Sequence, residues 1–135
     1  MSSRGILNRL KRQMESKASP MLATLCGNNP DKLTIRKVFT AVIKGDDATR
    51  EVVADTARRL GQVLAGMVNV LNPGRIILGG GVVEGGSFFV DIVRESILKD
   101  ALTVAARDLS VVAAELGNAA GFIGAAFLGR EILPE

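Results

Sequence analysis

The chain has 135 residues, 47% hydrophobic and 23% charged, with a formal net charge of +3; this fits one compact domain that buries roughly two-thirds of its unfolded surface and excludes a disordered or collagen-like chain. It has no histidine, tryptophan or tyrosine and a single cysteine, Cys26. It therefore cannot build a Ser-His-Asp or Cys-His pair, a His-ligated metal site or a zinc knuckle, and its five phenylalanines make a poor stacking platform for single-stranded nucleic acid.

A lone thiol forms no internal bridge, and no apolar leader follows Met1, so a reduced, cytoplasmic setting is expected. The uncharged stretch over residues 60–74 is too short and too polar to cross ~30 Å of hydrocarbon, so no membrane partner is expected. The charge is concentrated at one end. Arg4, Arg9, Lys11, Arg12 and Lys17 against Glu15 give the first seventeen residues +4, which leaves −1 for the rest.

In that basic segment Ile6, Leu7, Leu10 and Met14 recur at helical spacing, which predicts an amphipathic helix over residues 3–16 with its charges toward solvent. No second basic helix or turn completes a helix-turn-helix, so these charges read as a solvated face rather than as a DNA contact. Residues 18–33 are rich in turn formers around a short apolar turn at 21–25. Thr34 then caps a short helix that places Ile35, Val38, Phe39, Val42 and Ile43 on one side. Gly45 stops it, with Asp46 or Asp47 ready to cap the next.

From there to Leu71 the series Val53, Ala57, Leu60, Leu64, Met67, Leu71 keeps a helical rhythm, the longest element of the chain. Asp46, Asp47, Glu51 and Asp55 sit near the positive end of its dipole, and Arg58 and Arg59 are expected on the outer side. Asn72-Pro73-Gly74 ends it, because proline lacks the N–H and disfavours helix in the residue before it. Residues 75–78, Arg-Ile-Ile-Leu, read as a buried strand of a parallel sheet.

Gly79, Gly80 and Gly81 follow at once, and a helix over 88–98 is predicted after them, with Phe88, Phe89, Ile92, Val93 and Ile97 toward the core. Glycines at the carboxyl end of a strand let a ligand approach the backbone, and open α/β sheets bind ligands at that edge. A tight strand-to-helix turn needing no ligand explains the same glycines equally well. A dinucleotide fingerprint starting at Gly79 would need glycine where Glu84 stands, and no phosphate loop of the Gly-x-x-x-x-Gly-Lys type occurs. Residues 100–108 read as helical or irregular and 109–114 as a second apolar strand. A final helix over 118–132 carries Ala119, Ala120, Gly121, Gly124, Ala125 and Ala126, small residues that suit close packing against a sheet or another helix.

The order of these motifs is distinctive: Gly45-Asp46, Leu60-Gly61 in a long helix, Leu71-Asn72-Pro73, Ile76-Ile77-Leu78-Gly79-Gly80-Gly81, and Leu116-Gly117-Asn118-Ala119-Ala120-Gly121-Phe122-Ile123-Gly124-Ala125-Ala126. It closely resembles the carboxyl-terminal half of the ROK family, a group of bacterial sugar kinases, sugar-responsive transcriptional repressors and relatives. The resemblance runs from about Lys17, which divides the chain into a basic helix, 1–17, and a ROK-type lobe, 18–135. It implies an α/β fold, the carboxyl-terminal lobe of an actin-like ATPase of ribonuclease H type, with a small sheet packed with helices. It also implies that Gly79, Gly80 and Gly81 lie against the adenosine of a nucleotide held between two lobes.

The family's Asp-x-Gly-x-Thr phosphate motif, its catalytic aspartate, its sugar-binding residues and its zinc motif have no counterpart here, so neither catalytic nor metal residues are assigned. Phosphoryl transfer needs a base and a metal-phosphate cradle, and this chain alone is not expected to perform it or to hold a cofactor unaided; ATP and magnesium belong to a kinase parent. The resemblance then implies the lobe of a larger protein, or a truncated reading frame. Residues 15–22 and 33–39 look more like the repressor branch, which implies an effector-binding and dimerisation lobe of a sugar-responsive regulator. The alternatives are the nucleotide lobe of a sugar kinase and a non-catalytic scaffold. The partners implied are the missing amino-terminal lobe, a sugar effector in the parent, DNA only through an absent upstream domain, and a second copy of the chain, since a half-domain leaves apolar surface uncovered.

Overall fold

The computed structural model describes residues 3–15, 19–83 and 86–132. Seven helices and two strands follow in the order α1 (Ser3–Glu15), α2 (Pro20–Leu25), α3 (Ile35–Ile43), α4 (Asp47–Leu71), β1 (Arg75–Leu78), α5 (Ser87–Asp100), α6 (Thr103–Ala106), β2 (Ser110–Ala113) and α7 (Ala120–Ile132), with 3-10 turns at Pro30–Lys32 and Gly117–Ala119. The fold is α/β, a small parallel sheet with helices. β1 and β2 pair in parallel, Arg75 opposite Ser110 and Leu78 opposite Ala113. Parallel neighbours need a crossover connection, and α5 with α6 supplies it.

Local chemistry sets most of the boundaries. Thr34 caps α3, its hydroxyl accepting from the Lys37 N–H, and Asp46 rather than Asp47 caps α4, its carboxylate accepting from the Thr49 N–H at 2.8 Å. Asn72 ends α4 in the left-handed region at φ +46°, a conformation that asparagine tolerates, and donates its N–H to the Val68 carbonyl. The segment expected as a short apolar turn is helix α2, capped by the Ser19 hydroxyl. That hydroxyl also donates to Asp46 at 2.6 Å and lies 3.2 Å from the Thr49 hydroxyl, so one buried polar node ties the starts of α2 and α4 together.

The core is built on the contact between α4 and α5, with α1, α2 and α3 wrapped around the first half of α4. Ile6, Leu10 and Met14 of α1 are buried in it, while Arg9 pairs with Asp55 of α4 at 2.6 Å and Lys11 with Asp31 at 2.9 Å. Residue 16, the predicted end of that helix, lies outside the described residues. The Arg9 hydrogen bond holds the Asp55 carboxyl below its ordinary value despite partial burial, with Arg59 adding to the effect.

Four sequence expectations are corrected here. β1 is not buried on both faces: Ile76 and Leu78 are half-buried against the core, but Ile77 is 64% exposed. Two strands with helices on one side leave alternate residues outside. The second half of α4 turns a different side inward from the one expected, because Gly61, Ala65 and Val68 are buried while Met67 and Leu71 are exposed. At Gly61 α5 approaches so closely that only glycine fits, and this fixes the helix rotation. Ile43, expected toward the core from α3, is 78% exposed. The small residues of α7 do not pack closely on a sheet or a helix: its described side chains are exposed or half-buried, Phe122 at 83%, and its main contact is with the turn before it.

Candidate functional site

β1 delivers the chain to Gly79 at the carboxyl end of the sheet, where the Ala114 N–H from beyond β2 donates to the Leu78 carbonyl at 2.7 Å. A tight turn follows, closed by the Val83 N–H donating to the Gly80 carbonyl at 3.1 Å. Gly80 sits at φ +88°, in the left-handed region, with no heavy atom within 4 Å of the place a Cβ would occupy. At Gly79 a Cβ would meet only the Ala114 Cβ, at an ordinary 3.6 Å. Gly86, at φ +94°, starts α5.

The three glycines are thus one bend at the carboxyl edge of a parallel pair, the place where open α/β sheets bind ligands. Their roles differ. Gly80 is required by its backbone angle and faces open space, whereas Gly79 meets neither constraint. Gly80→Ala is therefore expected to cost about 1–2 kcal/mol from the left-handed backbone alone, and Gly79→Ala less than half of that. Urea unfolding of the two variants measures the difference.

Gly81 and Gly86 form one wall of a cleft of about 520 Å³ whose other wall is α3. Ile35 and Phe39 lie deeper in it, and Arg36, Thr40 and Ile43 line its rim. This volume falls in the range of small-molecule sites. Among the described residues lining it, Arg36 is the only charged one. The Thr40 hydroxyl is already committed, donating to the Arg36 carbonyl at 2.9 Å. Beneath the bend lies a largely apolar cavity of about 90 Å³ bounded by Ile6, Thr56, Leu60, Gly79, Val82 and Phe89, which brings α1 and α4 directly under the glycine turn.

The α3 wall escaped sequence reasoning, which assigned Ile35, Phe39 and Ile43 to one core-facing side. The signal available was Arg36 and Thr40, polar residues interleaved with that apolar row, but nothing local says that a loop some forty positions later comes to lie opposite. A second groove, between α4 and α5, is lined by Asp47, Glu51, Asp91 and Glu95 with Arg50 and Arg58. Its charges largely answer one another: Arg58 pairs with Glu51, Arg94 with Asp91, and Arg50 lies 4.8 Å from the centroid of the Phe88 ring. Among the described residues no group of three or more Asp, Glu, Cys or His side chains comes together to hold a metal ion, and no helix is long and apolar enough to cross a membrane.

Comparison with known proteins places this geometry. The chain is 31% identical over 112 residues to a glucokinase of Streptomyces coelicolor, covering 82% of this chain and 35% of that protein. It is 26% identical over 96 residues to the DNA-binding transcriptional repressor Mlc of Escherichia coli, covering 71% of this chain and 24% of that one. It thus spans about a third or less of the length of these relatives. The crystal structure of a ROK family glucokinase from Streptomyces griseus, in complex with glucose and AMPPNP, superposes with a TM-score of 0.85 at 28% identity, over 97% of this chain and 43% of that one. The family model of ROK matches residues 1–132, a span that takes in α1 as well as the motifs from Gly45 to Ala126. The sheet and the helices around it therefore share the fold of a ROK family kinase, and this chain is a member of the ROK family.

Proposed function

We propose that this chain is the carboxyl-terminal, nucleotide-binding lobe of a ROK-type sugar kinase, with the base and ribose of ATP held between the glycine bend and α3. The observation that carries the reading is a glycine bend at the carboxyl edge of a parallel strand, in which Gly80 is left-handed and open on its Cβ side and the next residue, Gly81, lines a cleft of about 520 Å³ against α3. The overlap with a glucokinase whose structure holds AMPPNP supports it. The cleft residues suit a base and a sugar ring but not the accompanying metal, for which no carboxylate cluster comes together among the described residues. Phosphate cradle, magnesium, hexose and the base that orients the attacking hydroxyl then fall to the other lobe, and this chain binds without catalysing.

The similarity to Mlc favours a second reading, an effector-binding and dimerisation lobe of a sugar-responsive regulator. The exposed apolar residues of α7, Phe122, Phe127 and Leu128, support a contact with further polypeptide, the remaining lobe or a second copy, under either reading. The two readings part on nucleotide affinity. The sequence alone offers no reason to expect a cofactor held by this chain unaided, but the cleft does: calorimetric titration of the chain with ATP is expected to give saturable binding, weakened at least tenfold by Gly80→Val while the far-ultraviolet circular dichroism stays unchanged. Equal affinity of the variant and the parent would reduce the bend to a plain turn, and absence of binding would favour the regulator.

A further inference from the structure

Among the described residues, five of the chain's eleven arginines have an engaged side chain. Arg9 and Arg59 pair with Asp55, Arg58 with Glu51, Arg94 with Asp91 and with the Val111 carbonyl, and Arg50 lies over the Phe88 ring. Arg36 differs. It is exposed, it stands at the rim of the cleft, and neither an ion pair nor a side-chain hydrogen bond engages its guanidinium among the described residues. A free guanidinium beside a cleft has two natural partners: an anionic oxygen, or the face of a flat aromatic ring.

The rest of the wall decides between them. Ile35 and Phe39 behind and Ile43 beside Arg36 present apolar surface, and Ile43 is 78% exposed among the described residues. An apolar wall with one cation suits a flat, uncharged ring. It does not suit a polyphosphate, whose several charges call for several donors. The Thr40 hydroxyl, committed to the Arg36 carbonyl, does not compete as a donor to the ring edge. Arg36, Thr40 and Ile43 fall on one stripe of α3, so a ring entering between that stripe and Gly81 meets the guanidinium plane and the isoleucine together.

We propose that Arg36 is the residue that fixes the base of the nucleotide, its guanidinium lying against the ring face over Ile43, with the phosphates pointing out of this lobe. This rests on the nucleotide reading above. The test measures the affinity of the full chain for adenosine, AMP and ATP, in the parent and in Arg36→Ala and Arg36→Lys. Arg36→Ala is expected to weaken all three by a similar factor, roughly 5- to 20-fold, and Arg36→Lys, which keeps the charge but loses the plane, to restore little of it. Melting temperatures should be unchanged, because the side chain holds nothing in the fold. A loss that grows from adenosine to ATP and is rescued by lysine would overturn the proposal in favour of a phosphate contact, leaving the nucleotide reading intact. Unchanged affinities would overturn it as well. Failure of the parent chain to bind any of the three would remove the nucleotide reading first, and this assignment with it.

Discussion

Gly61→Ala is expected to destabilise the chain by about 3 kcal/mol, although alanine is the better helix former by about 1 kcal/mol. A Cβ on Gly61 would stand 2.4 Å from the Ser96 Cβ, 2.8 Å from its hydroxyl and 2.8 Å from the Val93 carbonyl oxygen. Only the hydroxyl could yield by a side-chain rotation; the Ser96 Cβ is fixed by its backbone, and the third atom is helix backbone itself. The two helices would have to separate, disturbing the Ser96 hydroxyl that donates to the Arg58 carbonyl at 2.9 Å and unpacking Ala57, Ala65 and Val93 behind it. The same helix supplies its own control. At Gly66 a Cβ meets open space, so Gly66→Ala should instead stabilise by roughly 0.5–1 kcal/mol. Opposite signs at two glycines of one helix, read from urea unfolding, would identify the crossing with α5 as the cause; equal signs would refute it.

Removing the Asp46 carboxylate is expected to have the second largest effect, about 2–3 kcal/mol for Asp46→Ala, from a lost helix cap of about 1 kcal/mol and a buried hydroxyl left without its acceptor. Ser19 and Thr49 are fully buried, and both lean on this carboxylate. Burial by itself would raise the Asp46 carboxyl, but hydrogen bonds from the Ser19 hydroxyl, from Thr49 and from the Leu22 N–H outweigh it and hold it below its ordinary value of 3.8. A carboxyl depressed in the folded state contributes stability that is present above the unfolded value and lost as pH falls through the folded one. The chain should therefore lose stability below about pH 4, and Asp46→Asn, which keeps a capping oxygen, should be weaker at neutral pH yet flatter across the acid limb. Parallel acid limbs in the parent and Asp46→Asn would place the titration elsewhere, with Asp55 the next candidate.

The legible parts of this molecule are those governed by neighbours in sequence. Thr34 and Asp46 declare their helices because a cap needs only the next three residues, and Asn72-Pro73 declares an end for the same reason. The strand, the bend and the crossover could be read because a β-branched run followed by glycines leaves few alternatives. The inner side of α4 could not be read past Leu60, since residues 60–71 carry no charge and apolar side chains occur on every side of the helix. What selected Gly61, Ala65 and Val68 was the backbone of α5, thirty or more positions away. The burial of β1 depends on how many layers cover the sheet, which a four-residue run does not encode. Of the candidate site the glycine wall was visible and the α3 wall was not, because Ile35 and Phe39 have the pattern of any core helix, and only tertiary structure sets Gly81 opposite them.

The most direct test is an amide-resolved nuclear magnetic resonance titration of the 135-residue chain with ATP. Perturbed amides are expected to fall in two stretches distant in sequence, residues 79–81 and the α3 segment 35–43, moving together with one affinity. Perturbation confined to the charged groove between α4 and α5, or saturation with ATP that leaves residues 79–81 unmoved, would contradict the proposed site.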